Sequence, residues 1–83
     1  MPHLNLLYFA GLRDLRGCRE ESLPLPEGVA TVADLAKHLQ TTYPELSGRL
    51  DQVRFAINES FADSGETVAD GDVIALIPPV SGG

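Results

Sequence analysis

An α+β fold, in which one helix covers a small mixed sheet, is predicted by three features of this 83-residue sequence. Residues 4–9 and 73–77 are apolar at nearly every position, as central strands buried on both faces are. The stretch between them holds one clear amphipathic helix and several partly polar strands. The two apolar strands are therefore expected to lie side by side at the centre of the sheet, which is the β-grasp arrangement. Other small α+β sandwiches share this periodicity, so the pattern alone leaves them open.

The segment between the first strand and the main helix is predicted to hold two minor elements. Residues 10–17 contain Leu12 and Leu15 at helical spacing and end at a glycine, which allows one or two helical turns at most. Residues 20–25 alternate in part but contain Pro24, which cannot donate to a strand ladder. We therefore expect a short helix followed by an edge strand.

The main helix is the clearest element in the sequence. Thr31 can cap the free amide of Asp34, whose carboxylate favours the positive end of the helix dipole. Pro44 stops the helix, because proline has no amide hydrogen to donate. One apolar stripe at helical spacing predicts the face that packs on the sheet, and its members are Val32, Leu35, Ala36, Leu39 and Tyr43.

The second half of the chain is predicted to contain one further strand before the final one. Asp70-Gly71 supplies the turn that opens the last strand. The predicted elements are a turn around residues 47–51, a strand at 53–58, a loop at 59–66, brief pairing at 67–68 and the final strand at 73–77. The chain is thus expected to form one domain, residues 1–77, followed by an extended tail, residues 78–83.

Composition and charge limit the classes of function. The chain is 43% hydrophobic and 22% charged, which is typical of a folded domain, and its formal net charge is -6. This acidity disfavours nucleic acids and anionic membranes as partners and favours proteins with basic surfaces. No apolar run approaches the length of a membrane span, and the first residues lack the features of a signal peptide. We therefore expect a cytoplasmic protein.

The side chains that most often carry chemistry are interpreted here as structural or solvated. With one cysteine, Cys18, the chain can form no internal disulfide, and the sequence places no histidine or acid to activate its thiol. His3 and His38 lack the spacing of a metal or nucleophile site. The C-terminal carboxylates lack calcium-type spacing and predict a solvated acidic rim, so no metal site is expected. These carboxylates belong to Asp63, Glu66, Asp70 and Asp72.

Phe61 stands out as a large aromatic side chain within the polar segment 58–64. Such a side chain either folds back over the core or stays exposed as an anchor for a protein partner. The sequence leaves both interpretations open.

The tail combines stiffness at its start with conformational freedom at its end. Pro78-Pro79 ends the strand ladder and favours an extended exit. Six extended residues span at most about 20 Å. Gly82-Gly83 has the smallest cross-section available, so a narrow tunnel in a partner can admit it and bring the terminal carboxylate to a reacting centre. The alternative interpretation is a frayed chain end that finishes in glycine.

Three stretches of the sequence form a specific combination. They are Leu7-Tyr8-Phe9-Ala10-Gly11-Leu12-Arg13-Asp14-Leu15, then Ala56-Ile57-Asn58, then Asp70-Gly71-Asp72 with Pro78-Pro79-Val80-Ser81-Gly82-Gly83. On these residues the chain resembles the small subunits of molybdopterin synthase, a family of ubiquitin-like sulfur carriers of molybdenum cofactor biosynthesis. The resemblance spans the framework of the whole chain, although residues 18–30 and 44–52 match no motif. It implies a ubiquitin-like β-grasp fold.

The resemblance also implies that this chain is the reagent and that a partner supplies the catalysis. The carboxylate of Gly83 would be adenylated by a ubiquitin-activating-like enzyme using ATP and magnesium, and a sulfurtransferase would then convert it to a thiocarboxylate. The tail, residues 78–83, would enter the active site of the synthase large subunit, in an assembly of two small and two large subunits. There its sulfur would help convert cyclic pyranopterin monophosphate into molybdopterin. No cofactor is expected on this chain itself.

By the same resemblance, the surface that faces the large subunit maps onto Phe9, Phe61 and Ile77, which favours the exposed interpretation of Phe61. Phe9 and Ile77 belong to central strands, where residues are more often core, and position 77 is aromatic in some relatives.

Two other functions stay open. One is a sulfur carrier for thiazole synthesis or tRNA thiolation, and the other is a ubiquitin-like modifier conjugated to lysines.

Overall fold

Five strands, two α-helices and one 3₁₀ turn make up the computed structural model, which describes residues 1–79. In chain order they are β1 (His3–Tyr8), α1 (Gly11–Arg16), β2 (Glu20–Pro24), α2 (Val32–Thr42), the 3₁₀ turn (Pro44–Leu46), β3 (Arg54–Ile57), β4 (Ser60–Ala62) and β5 (Val73–Ile77). The helices and strands predicted from the sequence are present, and β4 is additional. The brief pairing predicted at residues 67–68 is a single bridge between Thr31 and Thr67.

The two terminal strands pair in parallel at the centre of the sheet, as predicted. The strand order is β2-β1-β5-β3-β4, and the other neighbouring strands pair antiparallel. Asn5 lies beside Val73, and Tyr8 lies beside Leu76. β2 forms one edge of the sheet, which confirms the prediction that the strand containing Pro24 is an edge strand. Because β1 and β5 run in the same direction, both end at the same side of the sheet, here called the exit end.

The apolar residues of the central strands predicted that both faces of these strands are buried, and this prediction is wrong. Leu6, Tyr8, Ile74 and Leu76 are at most 3% exposed and pack with Leu35 and the other buried residues of α2. The alternate residues of β1 and β5 are half-buried, because α2 covers one face of the sheet. The opposite face, here called the open face, presents the side chains of Asn5, Leu7, Arg54, Ala56, Phe61, Val73, Ala75 and Ile77.

The main helix begins with the cap that the sequence predicts. Thr31 Oγ1 accepts a hydrogen bond from the amide of Asp34 at 3.2 Å, and the Asp34 carboxylate accepts from the amide of Thr31 at the same distance. This reciprocal capping box satisfies amides that have no partner inside the helix. Hydrogen bonds from the amides of Ala30 and Thr31 lower the pKa of the Asp34 carboxyl. α2 thereby starts at a fixed residue and directs its apolar stripe at the sheet.

The loop predicted at residues 59–66 contains strand β4, so that prediction is wrong for residues 60–62. Asn58 and Glu59 have φ values of 50° and 74°, which makes a two-residue hairpin turn between the paired residues Ile57 and Ser60. The Asn58 side chain accepts a hydrogen bond from the amide of Val73 at 3.0 Å and so ties this turn to β5. Asn-Gly is the usual signal for such a turn, and glutamate in place of glycine hides it from the sequence.

A cluster around Arg16 holds α1 against the sheet. The Arg16 guanidinium donates to both carboxylate oxygens of Glu21, at 3.0 and 2.9 Å, and to Glu45 at 2.7 Å. It also lies 3.6 Å from the centroid of the Tyr43 ring. The Tyr8 hydroxyl donates to Glu21 at 2.5 Å. Side chains from α1, β1, β2 and the end of α2 are thus joined at one point.

Burial and hydrogen bonding set the protonation states in this cluster. Burial opposes ionisation of Glu21, but hydrogen bonds from Arg16 and Tyr8 outweigh it and lower the pKa of the carboxyl. Burial, followed by the hydrogen bond to Glu21, raises the pKa of the Tyr8 hydroxyl. The tyrosine therefore stays protonated and acts as a donor.

Replacing the Glu21 carboxylate should weaken the fold in a pH-dependent manner. Because the pKa of Glu21 is lower in the folded state, its stabilisation is present above the ordinary glutamate value of 4.5 and is lost as pH falls through the folded-state pKa. We expect Glu21→Gln to lower the free energy of unfolding by about 1–3 kcal/mol at neutral pH. This difference should shrink as urea unfolding is repeated towards about pH 3.

Glu20→Gln is the matched control for this prediction, because Glu20 is an exposed neighbour on the same strand. Its effect should stay within about 0.5 kcal/mol. A difference between wild type and Glu21→Gln that stays constant over the whole pH range would contradict the role of the carboxylate.

Candidate functional site

The exit end of the sheet brings together residues from both ends of the chain. Tyr8 and Leu76 are neighbours in the parallel ladder, so Phe9 and Ile77 follow them at the same side of the sheet. Ile77 also lies opposite Arg54 on β3. The predicted interface residues Phe9 and Ile77, which are distant in sequence, therefore lie next to the start of the tail.

Phe61 lies on the open face. It is paired with Ala56, which in turn is paired with Ala75. Its side chain is 63% exposed, so the interpretation in which it folds back over the core is wrong. Two small alanine side chains beside it leave its ring standing above the sheet surface. This geometry is the one expected of an anchor for a protein partner.

Arg54 is a member of this surface that the sequence analysis missed. Its guanidinium carbon lies 4.4 Å from the centroid of the Phe61 ring, within the range of a cation–π contact. The contact orders an exposed aromatic side chain and places a positive charge beside it. Arg54 and Phe61 become neighbours through the Asn58-Glu59 hairpin, and the failure to recognise that turn hid the pair.

Phe9 is 45% exposed and lines a shallow hollow with Leu7, Arg13 and Arg19. The turn that follows it is strained. Ala10 has φ 50° and ψ -128°, and the amide of Leu12 donates to the carbonyl oxygen of Phe9 at 3.1 Å. These values describe a type II′ turn with alanine at the position that normally requires glycine. This conformation leads the chain from β1 directly into α1, and the surrounding structure maintains it despite the strain.

The start of the tail and α1 line one hollow. Pro78 is half-buried and lines this hollow together with Leu12, Leu15 and Arg49, whereas Pro79 is exposed. Neither proline can donate to the ladder, so the sheet ends at Ile77. The predicted tail residues Val80, Ser81, Gly82 and Gly83 lie outside the described residues, and their insertion into a partner stays a prediction.

The remaining candidates have structural contacts. The His3 ring lies 3.6 Å from the Asp70 carboxylate, and His38 Nε2 lies 3.0 Å from the hydroxyl of Thr42. Cys18 is partly buried against the core, as predicted. Among residues 1–79, no group of three or more histidine, cysteine or acidic side chains is arranged to hold a metal ion.

The C-terminal carboxylates do more than form the predicted solvated rim. Asp70 accepts from the amide of His3 at 2.9 Å. Asp72 accepts from the amide of Ala69 at 2.8 Å and from the Asn58 side chain at 3.0 Å. Both therefore shape the turn before β5.

Across the part of the chain that is described, no helix has the length and apolar character needed to cross a bilayer.

Comparison with known proteins identifies relatives over the full length of the chain. The model of the ThiS family matches residues 6–83. The chain is 35% identical to the molybdopterin synthase sulfur carrier subunit of Mycobacterium tuberculosis, with 100% of both chains covered. It is 32% identical to the Homo sapiens protein of the same name, over 96% of this chain and 93% of the human one.

A solved structure confirms the fold. The crystal structure of SAMP1 from Haloferax volcanii matches with a TM-score of 0.82 at 34% identity, and the match covers 98% of this chain and 99% of that one. The similarity extends over the complete five-stranded sheet and its helix. The β-grasp fold predicted from the sequence is therefore confirmed, and the other small α+β sandwiches are excluded.

The strained turn after Phe9 predicts that a substitution by glycine stabilises the fold. We expect Ala10→Gly to raise the free energy of unfolding by up to about 1 kcal/mol, because relief of about 1–3 kcal/mol of strain exceeds the entropy cost of glycine. The exposed Ala33 in the first turn of α2 provides the control, because its φ is not positive and Ala33→Gly should therefore not raise stability. Thermal and urea unfolding of both variants measure these effects. Destabilisation by Ala10→Gly would show that the turn is not strained.

Proposed function

The chain belongs to the ThiS family, and we propose that it is the sulfur-carrying small subunit of a molybdopterin synthase. The observation that carries this proposal is similarity along the whole chain to relatives named as that subunit. The family match extends to residue 83 and so includes the Gly82-Gly83 ending. On this proposal the chain contributes to molybdenum cofactor biosynthesis as a reagent.

The chemistry is proposed to occur at the carboxylate of Gly83. A carboxylate is a poor electrophile, so an adenylating enzyme first joins it to the α-phosphate of ATP, with magnesium, and releases pyrophosphate. The persulfide of a sulfurtransferase then attacks the acyl carbon and displaces AMP. A thiol cleaves the S–S bond of the resulting acyl disulfide, which releases the thiocarboxylate and leaves a disulfide on the sulfurtransferase. The thiocarboxylate is ionised at neutral pH and carries a nucleophilic sulfur. It attacks the pterin precursor, cyclic pyranopterin monophosphate, in the active site of the partner.

The fold supports this role because its sheet ends before the tail begins. β5 is fixed between β1 and β3, and its ladder ends at Ile77. Beyond Pro79, four residues reach at most about 14 Å when extended. A partner must therefore approach the exit end closely before the carboxylate reaches its active site. The catalytic residues are assigned to that partner.

The partner is proposed to be the synthase large subunit, in an assembly of two small and two large subunits. Phe9, Phe61 and Ile77 are the proposed anchors, with Arg54 beside Phe61. Two of the three aromatic or aliphatic anchors are substantially exposed, at 45% for Phe9 and 63% for Phe61. Exposed aromatic side chains next to a cation are typical of the energetic centre of an interface.

A second function, conjugation to lysines of other proteins, is favoured by one observation. The related Haloferax volcanii protein is named a small archaeal modifier protein. The two functions share the activated carboxylate and differ in the acceptor. A modifier yields protein adducts in which the Gly83 carbonyl is joined to a lysine, whereas the proposed carrier restores molybdoenzyme activity in a strain that lacks its small subunit.

Formation of the thiocarboxylate can be measured directly. When the chain is co-expressed with its adenylating enzyme and a sulfur source, its intact mass should rise by the exchange of one oxygen for sulfur. Peptide mapping should locate the change at Gly83. A variant without Gly83 is the control, and it should keep the mass of the free acid. Wild-type protein that also keeps the free-acid mass under these conditions would refute the proposal.

The anchoring role of Phe61 can be separated from stability. We expect Phe61→Ala to weaken binding to the large subunit by about 2–4 kcal/mol, which is roughly 30-fold to 1,000-fold in Kd. Its free energy of unfolding should change little, because the side chain is mostly exposed. Thr41→Ala on the exposed side of α2 should leave both quantities unchanged. Equal affinities for wild type and Phe61→Ala in titration calorimetry would remove Phe61 from the interface.

A further inference from the structure

The cations near the exit end are arginines. The chain has five arginines and one lysine, Lys37. Four of the arginines lie at the exit end of the sheet: Arg13 and Arg19 line the hollow with Phe9, Arg49 lines a hollow with Pro78, and Arg54 is paired with Ile77. All four are exposed, and the acidic Asp14 and Glu20 line the same hollows. The tail thus leaves the domain past guanidinium groups and carboxylates.

The amines lie elsewhere. Lys37 is on the exposed side of α2, and the buried residues Val32, Leu35 and Leu39 face the sheet from the other side of that helix. The α-amine of Met1 precedes β1. Since β1 is parallel to β5, it lies at the opposite end of the sheet from the tail. The six residues of β1 alone span about 20 Å, more than the reach of about 14 Å for four extended residues beyond Pro79.

This distribution matters if Gly83 is activated. An acyl adenylate or thioester is attacked by a neutral amine, which forms a stable amide. An ordinary lysine has a pKa near 10.4, and the pKa of an arginine is well above that value. The neutral fraction at a given pH is therefore roughly two to three orders of magnitude smaller for arginine. Arginine supplies the positive charge needed for docking without supplying a nucleophile.

We propose that the exit end is kept free of amines so that the activated carboxyl group of Gly83 is not consumed by amide formation within its own chain. This inference rests on the proposed activation of Gly83. In the excluded reaction, the amine nitrogen attacks the acyl carbon, the bond to AMP or to a thiol sulfur breaks, and the amine proton passes to solvent. The arginines near the tail thereby preserve the acyl group for the incoming sulfur.

The test introduces one amine at a time beside the tail. The full 83-residue chain is prepared as a C-terminal thioester by thiolysis of an intein fusion, which activates Gly83 without any cellular enzyme. Arg49→Lys and Arg54→Lys retain the positive charge beside Pro78 and Ile77. Glu59→Lys is the control. It has the same number of lysines as each arginine variant, but its new lysine lies in the β3–β4 turn, away from the exit end. Thermal unfolding verifies that each variant is folded.

Intact mass and peptide mapping then distinguish hydrolysis from internal amide formation in dilute protein. Wild type and Glu59→Lys should yield mostly the free acid. At least one of Arg49→Lys and Arg54→Lys should form the internal amide several-fold faster than wild type, with Gly83 joined to the new lysine. Excess free thiol reverses any thioester formed at Cys18 but leaves the amide intact.

Two results would overturn the inference. One is amide formation in both arginine variants at the wild-type rate, and the other is rapid internal coupling of wild type to Lys37 or Met1. Both are independent of the proposed function, because the thioester is made chemically. A chain that is never adenylated in the cell would refute the proposed function while leaving the measured coupling rates unchanged.

Discussion

The parallel pairing of β1 with β5 is the constraint on which the rest of the structure depends. Parallel neighbours cannot be joined by a hairpin, so the chain between them must cross over the sheet. α2 forms that crossover and buries its apolar stripe on one face. The same pairing ends both strands at one side, where Phe9, Ile77 and the tail meet. It also sends residue 1 to the opposite side, away from Gly83's proposed chemistry.

The two faces of the sheet have different tasks. The covered face holds the core, and the Arg16 cluster locks α1 and the end of α2 to it through bidentate hydrogen bonds with Glu21. The open face carries half-buried aliphatic side chains and the exposed Phe61. Because the core does not need these residues to be covered, they can serve a partner without exposing the interior. A folded domain with one uncovered face is consistent with the proposal that the chain delivers its terminus to a partner enzyme.

One strained turn and one ordered cation lie near the exit end. Ala10 adopts a turn conformation suited to glycine immediately after Phe9, and Arg54 lies over Phe61. Each of these features orders a residue that is proposed to face the partner. The arginines at the exit end carry positive charge but no reactive amine. These features are consistent with the proposed docking of this surface and with the proposed activation of Gly83.

The sequence by itself determined the central strands, the edge strand containing Pro24, the capped helix from Thr31 and the stop before Pro44, because these depend on local periodicity and backbone chemistry. Its motifs also identified the family, since the Gly-Gly ending and the strand motifs are read directly. Only the tertiary structure decided that the central strands have one open face, that β4 exists, and that Arg54 lies over Phe61. Each of these depends on strand pairing between distant residues or on positive φ angles at Asn58 and Glu59. Side-chain periodicity shows which residues alternate, but only the packed sheet shows which face α2 leaves uncovered.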